Sequence, residues 1–155
     1  MTNLLTLLTS KRADNADSLL QREYITRSED GFLTGRTVIT LRPDGKEIAR
    51  SGYDGDGLEL FHEEVIHSEN DTDREVLSLT YNASGALLQK KIARFDQRGE
   101  ILEMIHFNPS DEIIDHQIYS YSDDVVTYRR FDELGELVES WNRTMSGKKS
   151  KEATA

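Results

Sequence analysis

The feature that most constrains the fold of this chain is a motif that recurs at multiples of 12 residues. The stretch FDQRGEIL at 95–102 returns as FDELGELV at 131–138. An aromatic residue opens each unit of this frame, at Phe95, Phe107, Tyr119 and Phe131. Twelve residues suffice for one strand and one turn, so the spacing predicts a run of short strands.

Each unit reads aromatic–Asp/Asn–x–x–Gly/Asp–x–aliphatic, which is typical of a tight hairpin turn. The Asp or Asn side chain can bond the backbone two residues on, and Gly99 or Gly135 supplies the positive φ of a type I turn that closes on a bulge. Asp111 and Asp123 occupy the same place, which Asp tolerates. Three-residue loops predict cross-strand pairs of Phe95 with Ile101, Phe107 with Ile113, and Phe131 with Leu137.

The segments between the turns are rich in β-branched and aromatic residues. We expect an all-β fold, an antiparallel up-and-down meander that forms a curved sheet or a barrel, with a two-layer sandwich as the alternative. A longer loop is expected at 67–73. The eight or nine expected strands cover residues 36–42, 46–53, 58–67, 74–81, 86–95, 100–107, 112–120, 124–131 and 136–143.

The predicted loops place odd-numbered residues of the C-terminal half on one face and even-numbered residues on the other. We expect one β-meander domain over 1–146. Within it, apolar residues at positions 4, 5, 7 and 8, followed by DNADSLLQREY, predict a helical cap over 1–30. The small and charged residues of 147–155 predict a disordered tail.

The chain carries a formal net charge of −10, from 29 acidic and 19 basic residues. This balance disfavours nucleic acid, which needs Lys and Arg against its phosphates, and favours a basic protein partner. There are no cysteines, no apolar run long enough to span a membrane, and no basic residues ahead of the short N-terminal apolar run. We therefore expect a cytoplasmic protein that binds no membrane.

No phosphate loop, dinucleotide fingerprint, nucleophile elbow or metalloprotease motif occurs, so we predict no catalytic residues and no cofactor. The stretch GYDGDG at 52–57 is better explained as a turn than as a calcium loop. Two histidines on one predicted face, at 106 and 116, could join a carboxylate around a metal, but ordinary polar contacts explain them better and we predict no metal site. The residues expected at a partner-binding surface are Tyr121, Tyr128, Trp141, His106 and His116.

The elements YNASGALL, FDQRGEIL and FDELGELV resemble tyrosine–aspartate (YD, or Rhs-type) repeats, whose signature is a Tyr-Asp-x-x-Gly-x-Leu hairpin turn. The resemblance covers residues 81–142 and, more faintly, 41–60. The period here is shorter, and this chain is small where the family builds large shells that encapsulate toxins. By type rather than by motif, a small acidic β-meander is also similar to the immunity proteins encoded beside such toxins.

Two functions follow as expectations. The first is a non-catalytic interaction module, in its concrete version an acidic immunity or antitoxin-type protein that binds and neutralises a basic toxin domain. The alternative is a small-molecule-binding β-barrel with a cavity lined by aromatic residues such as Phe95, Phe107, Tyr119 and Phe131. An enzyme ranks last, and the sequence leaves the oligomeric state open.

Overall fold

The structure is a computed structural model that describes residues 3–5, 11–12, 19–145 and 149–150. These residues form strands and turns and no helix, so the described part contains no helix able to cross a membrane. The strands are β1 (Asn3–Leu5), β2 (Lys11–Arg12), β3 (Leu20–Arg27), β4 (Leu33–Leu41), β5 (Glu47–Asp54), β6 (Glu59–Glu69), β7 (Asp73–Asn82), β8 (Leu87–Asp96), β9 (Ile101–Phe107), β10 (Ile113–Ser122), β11 (Val125–Phe131), β12 (Leu137–Thr144) and β13 (Lys149–Ser150).

The chain divides into two compact units, Met1–Ile66 with Ser78–Leu88, and His67–Leu77 with Gln89–Ala155. In the first unit β3 pairs with β1, β2 and β4, and β5 pairs with β4 and β6. In the second unit β8 to β13 pair in sequence order. All these pairs are antiparallel, which confirms the meander. In neither unit does a described pairing join the first strand to the last, so the closed form is not observed.

All nine predicted strands are present, as β4 to β12, but the predicted count is too low because β3 is a tenth long strand. The prediction of a helix is wrong for Leu20–Arg27, which forms β3. Eight residues of β3 pair with β4, and this ladder satisfies backbone groups while it suits the β-branched Ile25 and Thr26. Tertiary pairing therefore outranks the local helical pattern.

The two ends of the chain also differ from the predictions. Residues 3–5 and 11–12 of the predicted cap are strands that pair with β3. At the other end, Lys149–Ser150 pairs with β12, which contradicts the predicted disorder at those two positions. The rest of the predicted tail and the positions 1–2, 6–10 and 13–18 of the predicted cap lie outside the described residues.

The turn chemistry that the repeat predicts is confirmed. In the turn after β8, the amide of Gly99 donates to the carbonyl of Asp96 at 3.1 Å, and Asp96 Oδ1 accepts from two further amides of the same turn. The predicted positive φ angles occur at Gly99 (83°), Asp111 (70°), Asp123 (50°) and Gly135 (77°). The predicted cross-strand pairs also form: Phe95 with Ile101, Phe107 with Ile113, and Phe131 with Leu137.

A second bulge, beyond the one predicted within each turn, follows each of these pairs. Phe95 lies opposite Ile101, but Arg94 lies opposite Glu103, so Leu102 is an extra residue in β9. The same shift recurs in β10 and β12 and in three hairpins of the first unit. One inserted residue turns every later side chain to the other face of the sheet. The prediction that odd-numbered residues share one face is therefore wrong.

Two loops are shorter than predicted. Ser122 pairs with Val125, so only Asp123 and Asp124 connect β10 to β11. Tyr119 therefore pairs with Tyr128, a pairing that the 12-residue repeat does not predict. The loop expected at 67–73 contains only residues 70–72, because β6 continues to Glu69 and β7 begins at Asp73. The Asn70 side chain closes this turn by accepting from the amides of Thr72 and Asp73 at 2.9 and 2.7 Å.

Most side chains in both units are only half-buried. The buried hydrophobic residues are Leu41 in the first unit and Ala93 and Tyr128 in the second, and no described side chain is fully enclosed. Within each unit the described strands form one layer, and a sheet without a second layer leaves both faces partly in water. These faces are therefore available as binding surfaces.

Candidate protein-interaction site

The observed pairing brings four aromatic residues of the second unit onto one face of the sheet. Tyr128 pairs with Tyr119 on one side and with Trp141 on the other, so the three side chains form a row across β10, β11 and β12. Tyr121 lies two residues beyond Tyr119 and points the same way. We call this side, which carries Tyr119, Tyr121, Tyr128 and Trp141, the aromatic face. It collects four of the five residues predicted for partner binding, since His106 also lies on it.

The aromatic row is closely packed. The rings of Tyr128 and Trp141 stack with centroids 4.9 Å apart, and those of Tyr119 and Tyr128 are tilted at 5.0 Å. The Tyr121 hydroxyl donates to the carbonyl of Ile101 at 2.7 Å. Tyr128 is only 6% exposed, and burial raises the pKa of its phenol, whereas the outer rings remain half-buried. The row is thus anchored at its centre and open to solvent at its ends.

A polar network adjoins the aromatic row on the same face. Arg130 Nε donates to Asp115 Oδ1 at 2.5 Å, and Gln117 Nε2 donates to Asp115 Oδ2 at 2.7 Å. Burial by itself raises the pKa of Asp115, but the two hydrogen bonds outweigh it and hold the pKa below the ordinary value of 3.8. Asp115 is therefore a charged group whose two oxygens are both engaged, which suits a structural role.

The two histidines that the sequence analysis placed on one face lie on opposite faces. His106 pairs with Asp115 on the aromatic face, whereas His116 pairs with Ile105 on the other. The bulge in β10 separates them, so they cannot share a metal ion. Burial lowers the pKa of His106, while Asp115 acts in the opposite direction. Across the residues that the structure describes, no group of three or more His, Asp or Glu could hold a metal ion.

A pocket of about 400 Å³ opens on the face opposite the aromatic row, where β10 begins and β11 ends. Within it the rings of His116 and Phe131 have centroids 6.1 Å apart, and His116 Nε2 lies 2.7 Å from Glu103 Oε1. Leu134 in the turn is 78% exposed, and Ile113 is 42% exposed. We call this site the hairpin-end pocket; its lining residues are Ile113, His116, Ile118, Phe131, Asp132, Glu133, Leu134 and Gly135.

Carboxylates dominate the charge of the strands around the hairpin-end pocket. Residues 100–145 contain 11 Asp and Glu against 3 Arg, a net charge of −8 when the histidines are neutral. Asp132 and Glu133 line the pocket itself. Glu112 directly precedes Ile113 in the neighbouring turn at the same end of the sheet. The pocket is therefore apolar at its centre and acidic at its rim.

The four aromatic residues that were expected to line one cavity are divided between the two faces. Phe95 and Tyr119 lie on the aromatic face. Their neighbours Arg94 and Ile118 both pair with Glu103, and these three side chains point to the opposite face. Phe107 and Phe131 lie on the opposite side, with His116. These four residues therefore do not share one face of the sheet.

A second pocket of about 420 Å³ is polar and lies between the turns at 70–72 and 96–99. The Arg74 guanidinium lies over the Phe95 ring, 4.8 Å from its centroid. Both signs of charge line this pocket, so it favours no single class of ligand. Its charged lining residues are Glu69, Asp73, Arg74, Asp96 and Arg98.

No protein-family model matches this sequence, and no curated protein matches it either. The site must therefore be judged by its own geometry. Of the residues that line the hairpin-end pocket, His116 was predicted from the sequence as a binding residue, whereas Leu134 and Ile113 were not. A comparison of the repeats contains the missing signal, because FDELGELV has Leu134 where FDQRGEIL has Arg98.

Proposed function

We propose that this chain is a non-catalytic protein-interaction module that binds a basic protein partner through β9 to β12. The observation that carries the proposal is the net charge of −8 in residues 100–145 together with apolar side chains exposed at the hairpin ends. Acidic charge accelerates the encounter with a basic surface, and the apolar side chains supply contact area that excludes water.

The arrangement of titratable groups supports binding over catalysis. Asp115 accepts from Arg130 and Gln117, and Glu103 accepts from Arg94 at 3.0 Å while it also contacts His116. A general acid or base needs a free position toward its substrate. These carboxylates instead cross-link neighbouring strands and keep the surface rigid, which lowers the entropic cost of binding.

In its concrete form, the proposal is an immunity-type protein of the cytoplasm that neutralises a basic toxin domain. The acidic composition and the resemblance of the turns to tyrosine–aspartate repeats support this version. An acidic surface that covers basic residues would block a toxin that needs them for its substrate. The complex then depends on charge and weakens as salt screens it.

The test mixes the chain with the purified products of the genes that adjoin its own. Isothermal titration is performed at salt concentrations from about 50 mM to about 500 mM, a range across which the screening length falls severalfold. We expect a stoichiometric complex with one basic protein, weakened by salt. Binding to none of these products, or binding that salt does not change, would contradict the proposal.

A further inference from the structure

We propose that the hairpin-end pocket is the contact point for this partner and that its occupant is a basic segment in which one apolar side chain is flanked by Lys or Arg. This inference rests on the proposed function and adds the site and the chemistry of the partner segment. Three observations carry it: the exposure of the apolar side chains, the sign of the charges around them, and the position of Leu134 in the repeat.

The apolar part of the site consists of aliphatic side chains that the fold leaves uncovered. Leu134 is 78% exposed, and Ile113 and Leu137 are 42% and 45% exposed. Ile118 and Phe131 add half-buried walls. A cluster of this kind at the end of a sheet favours association with an apolar group, because its removal from water is favourable. The pocket of about 400 Å³ is large enough for one such side chain.

The charges around the pocket determine what must flank that side chain. Asp132 and Glu133 line the pocket, and no Lys or Arg is among its lining residues. In the adjacent turn Lys90 pairs with Asp111, whereas the exposed Glu112 carboxylate accepts from the side-chain amide of Asn108 at 2.8 Å. Asp132 Oδ1 accepts from the amides of Leu134 and Glu136, but an acidic or purely apolar occupant would cover the exposed carboxylates of Glu133 and Glu112 without bringing a cation to them. Lys or Arg beside the inserted side chain pairs them, so charge complementarity selects a basic segment.

Leu134 is apolar, whereas the residues at the same position of the other described turns are polar, so the geometry of the turn does not account for the leucine. Seven described turns share the hydrogen bond that Gly135 donates to Asp132. The turn geometry forms with polar residues at the position of Leu134, so it does not require a leucine there. The corresponding residues of the other six turns are Asp30, Asp44, Asp56, Ser84, Arg98 and Ser110.

The first experiment titrates the whole chain with a short synthetic peptide in which one leucine is flanked on both sides by Lys-Arg pairs. Backbone amide NMR spectra report the contact even when binding is weak. We expect shifts confined to residues 111–118 and 131–138. A peptide with Ser in place of Leu and one with Glu in place of Lys and Arg should each cause much smaller shifts. Equal shifts from all three peptides, or shifts located elsewhere, would overturn the inference.

The second experiment compares Leu134→Ser with Leu58→Ser, because both side chains are highly exposed and lie in turns of the same kind. We expect Leu134→Ser to weaken binding of the basic partner about tenfold, while Leu58→Ser leaves it unchanged. If the wild-type chain binds the partner and Leu134→Ser binds it equally well, the pocket is not the contact point and the proposed function stands. If the wild-type chain binds no basic partner, the proposed function itself fails.

Discussion

The strands β3 to β6 and the strands β9 to β12 use the same local design and differ in charge. Both sets are antiparallel, and both contain turns that are closed by the same backbone hydrogen bond and followed by a bulge. Residues 20–66 contain 10 acidic and 6 basic residues, whereas residues 100–145 contain 11 acidic and 3 basic residues. The number of carboxylates is nearly the same. The strong negative charge of the second set therefore arises from the scarcity of arginine and lysine.

Three of the six cations of the first set, Arg36, Arg42 and Arg50, form ion pairs with carboxylates of the same set. Arg36 lies 3.5 Å from Glu23 and sits over the ring of Tyr53 at 4.5 Å. Arg50 binds both oxygens of Glu47, at 2.8 and 3.0 Å. In the second set, Glu133 and Glu136 of the turn after β11 are exposed to solvent beside an apolar pocket. The repeat therefore determines how the chain folds back, while the residues around it determine what each region can bind.

The largest effect that we predict is a loss of stability when Tyr128, the buried aromatic residue of the second set, is truncated. Tyr128→Ala should destabilise the protein by roughly 3–5 kcal/mol, because Tyr128 packs between Tyr119 and Trp141. Phe61→Ala in the first set should cost less, roughly 2–3 kcal/mol, because Phe61 is half-buried over Gly52. Urea denaturation measures both changes, and a greater loss for Phe61→Ala would show that the aromatic row is not the main apolar contact.

The shared turns predict a medium effect that should be equal in the two sets. Gly135→Val and Gly57→Val each place a branched side chain at a φ of 77° or 84°. We expect each to cost roughly 1–3 kcal/mol through backbone strain, since a Cβ at either position meets no other atom within 4 Å. Thermal unfolding measures this cost. An unchanged stability in either variant would contradict the turn assignment.

The smallest predicted effect is a dependence of stability on pH that arises from His106 in the second set. Burial lowers the pKa of His106 below the ordinary value of 6.5, Asp115 opposes this, and Lys91 and Arg130 add to it. The unfolded chain then binds the proton more readily, so stability is full above pH 6.5 and falls as the pH drops toward the folded pKa. His106→Gln should remove this slope in urea titrations performed across that range. A slope that persists in the variant would assign it to another group.

The sequence predicts the strands and turns of this protein well because both are local. An aromatic residue, an Asp and a Gly within five positions determine the turn, and the cross-strand pair of Phe95 with Ile101 follows from the loop length. The helical cap failed for the opposite reason. In Leu20–Arg27 the strand formers are confined to Tyr24, Ile25 and Thr26, and the conformation of the whole segment depends on pairing with β4.

The candidate site was only partly predictable because it depends on which face each side chain occupies. The bulges and the two-residue loop at Asp123 each change that face. As a result Tyr128 lies on the same face of the sheet as Trp141, where the two rings stack, and His106 and His116 lie on opposite faces. The bulge that follows each turn is not marked by any residue type in the repeat, so the pattern alone could not determine the face on which these side chains lie.

The most direct test of the central claim compares two charge reversals in the two sets of strands. Glu133→Lys with Glu136→Lys changes the turn beside the hairpin-end pocket, and Asp56→Lys with Glu59→Lys makes the same change of charge at an exposed turn of the first set. Titration calorimetry measures the affinity of each for the basic partner. We predict that the first pair weakens binding by at least about tenfold and the second by less than about twofold. Equal weakening by the two pairs would show that only total charge matters and would contradict the account.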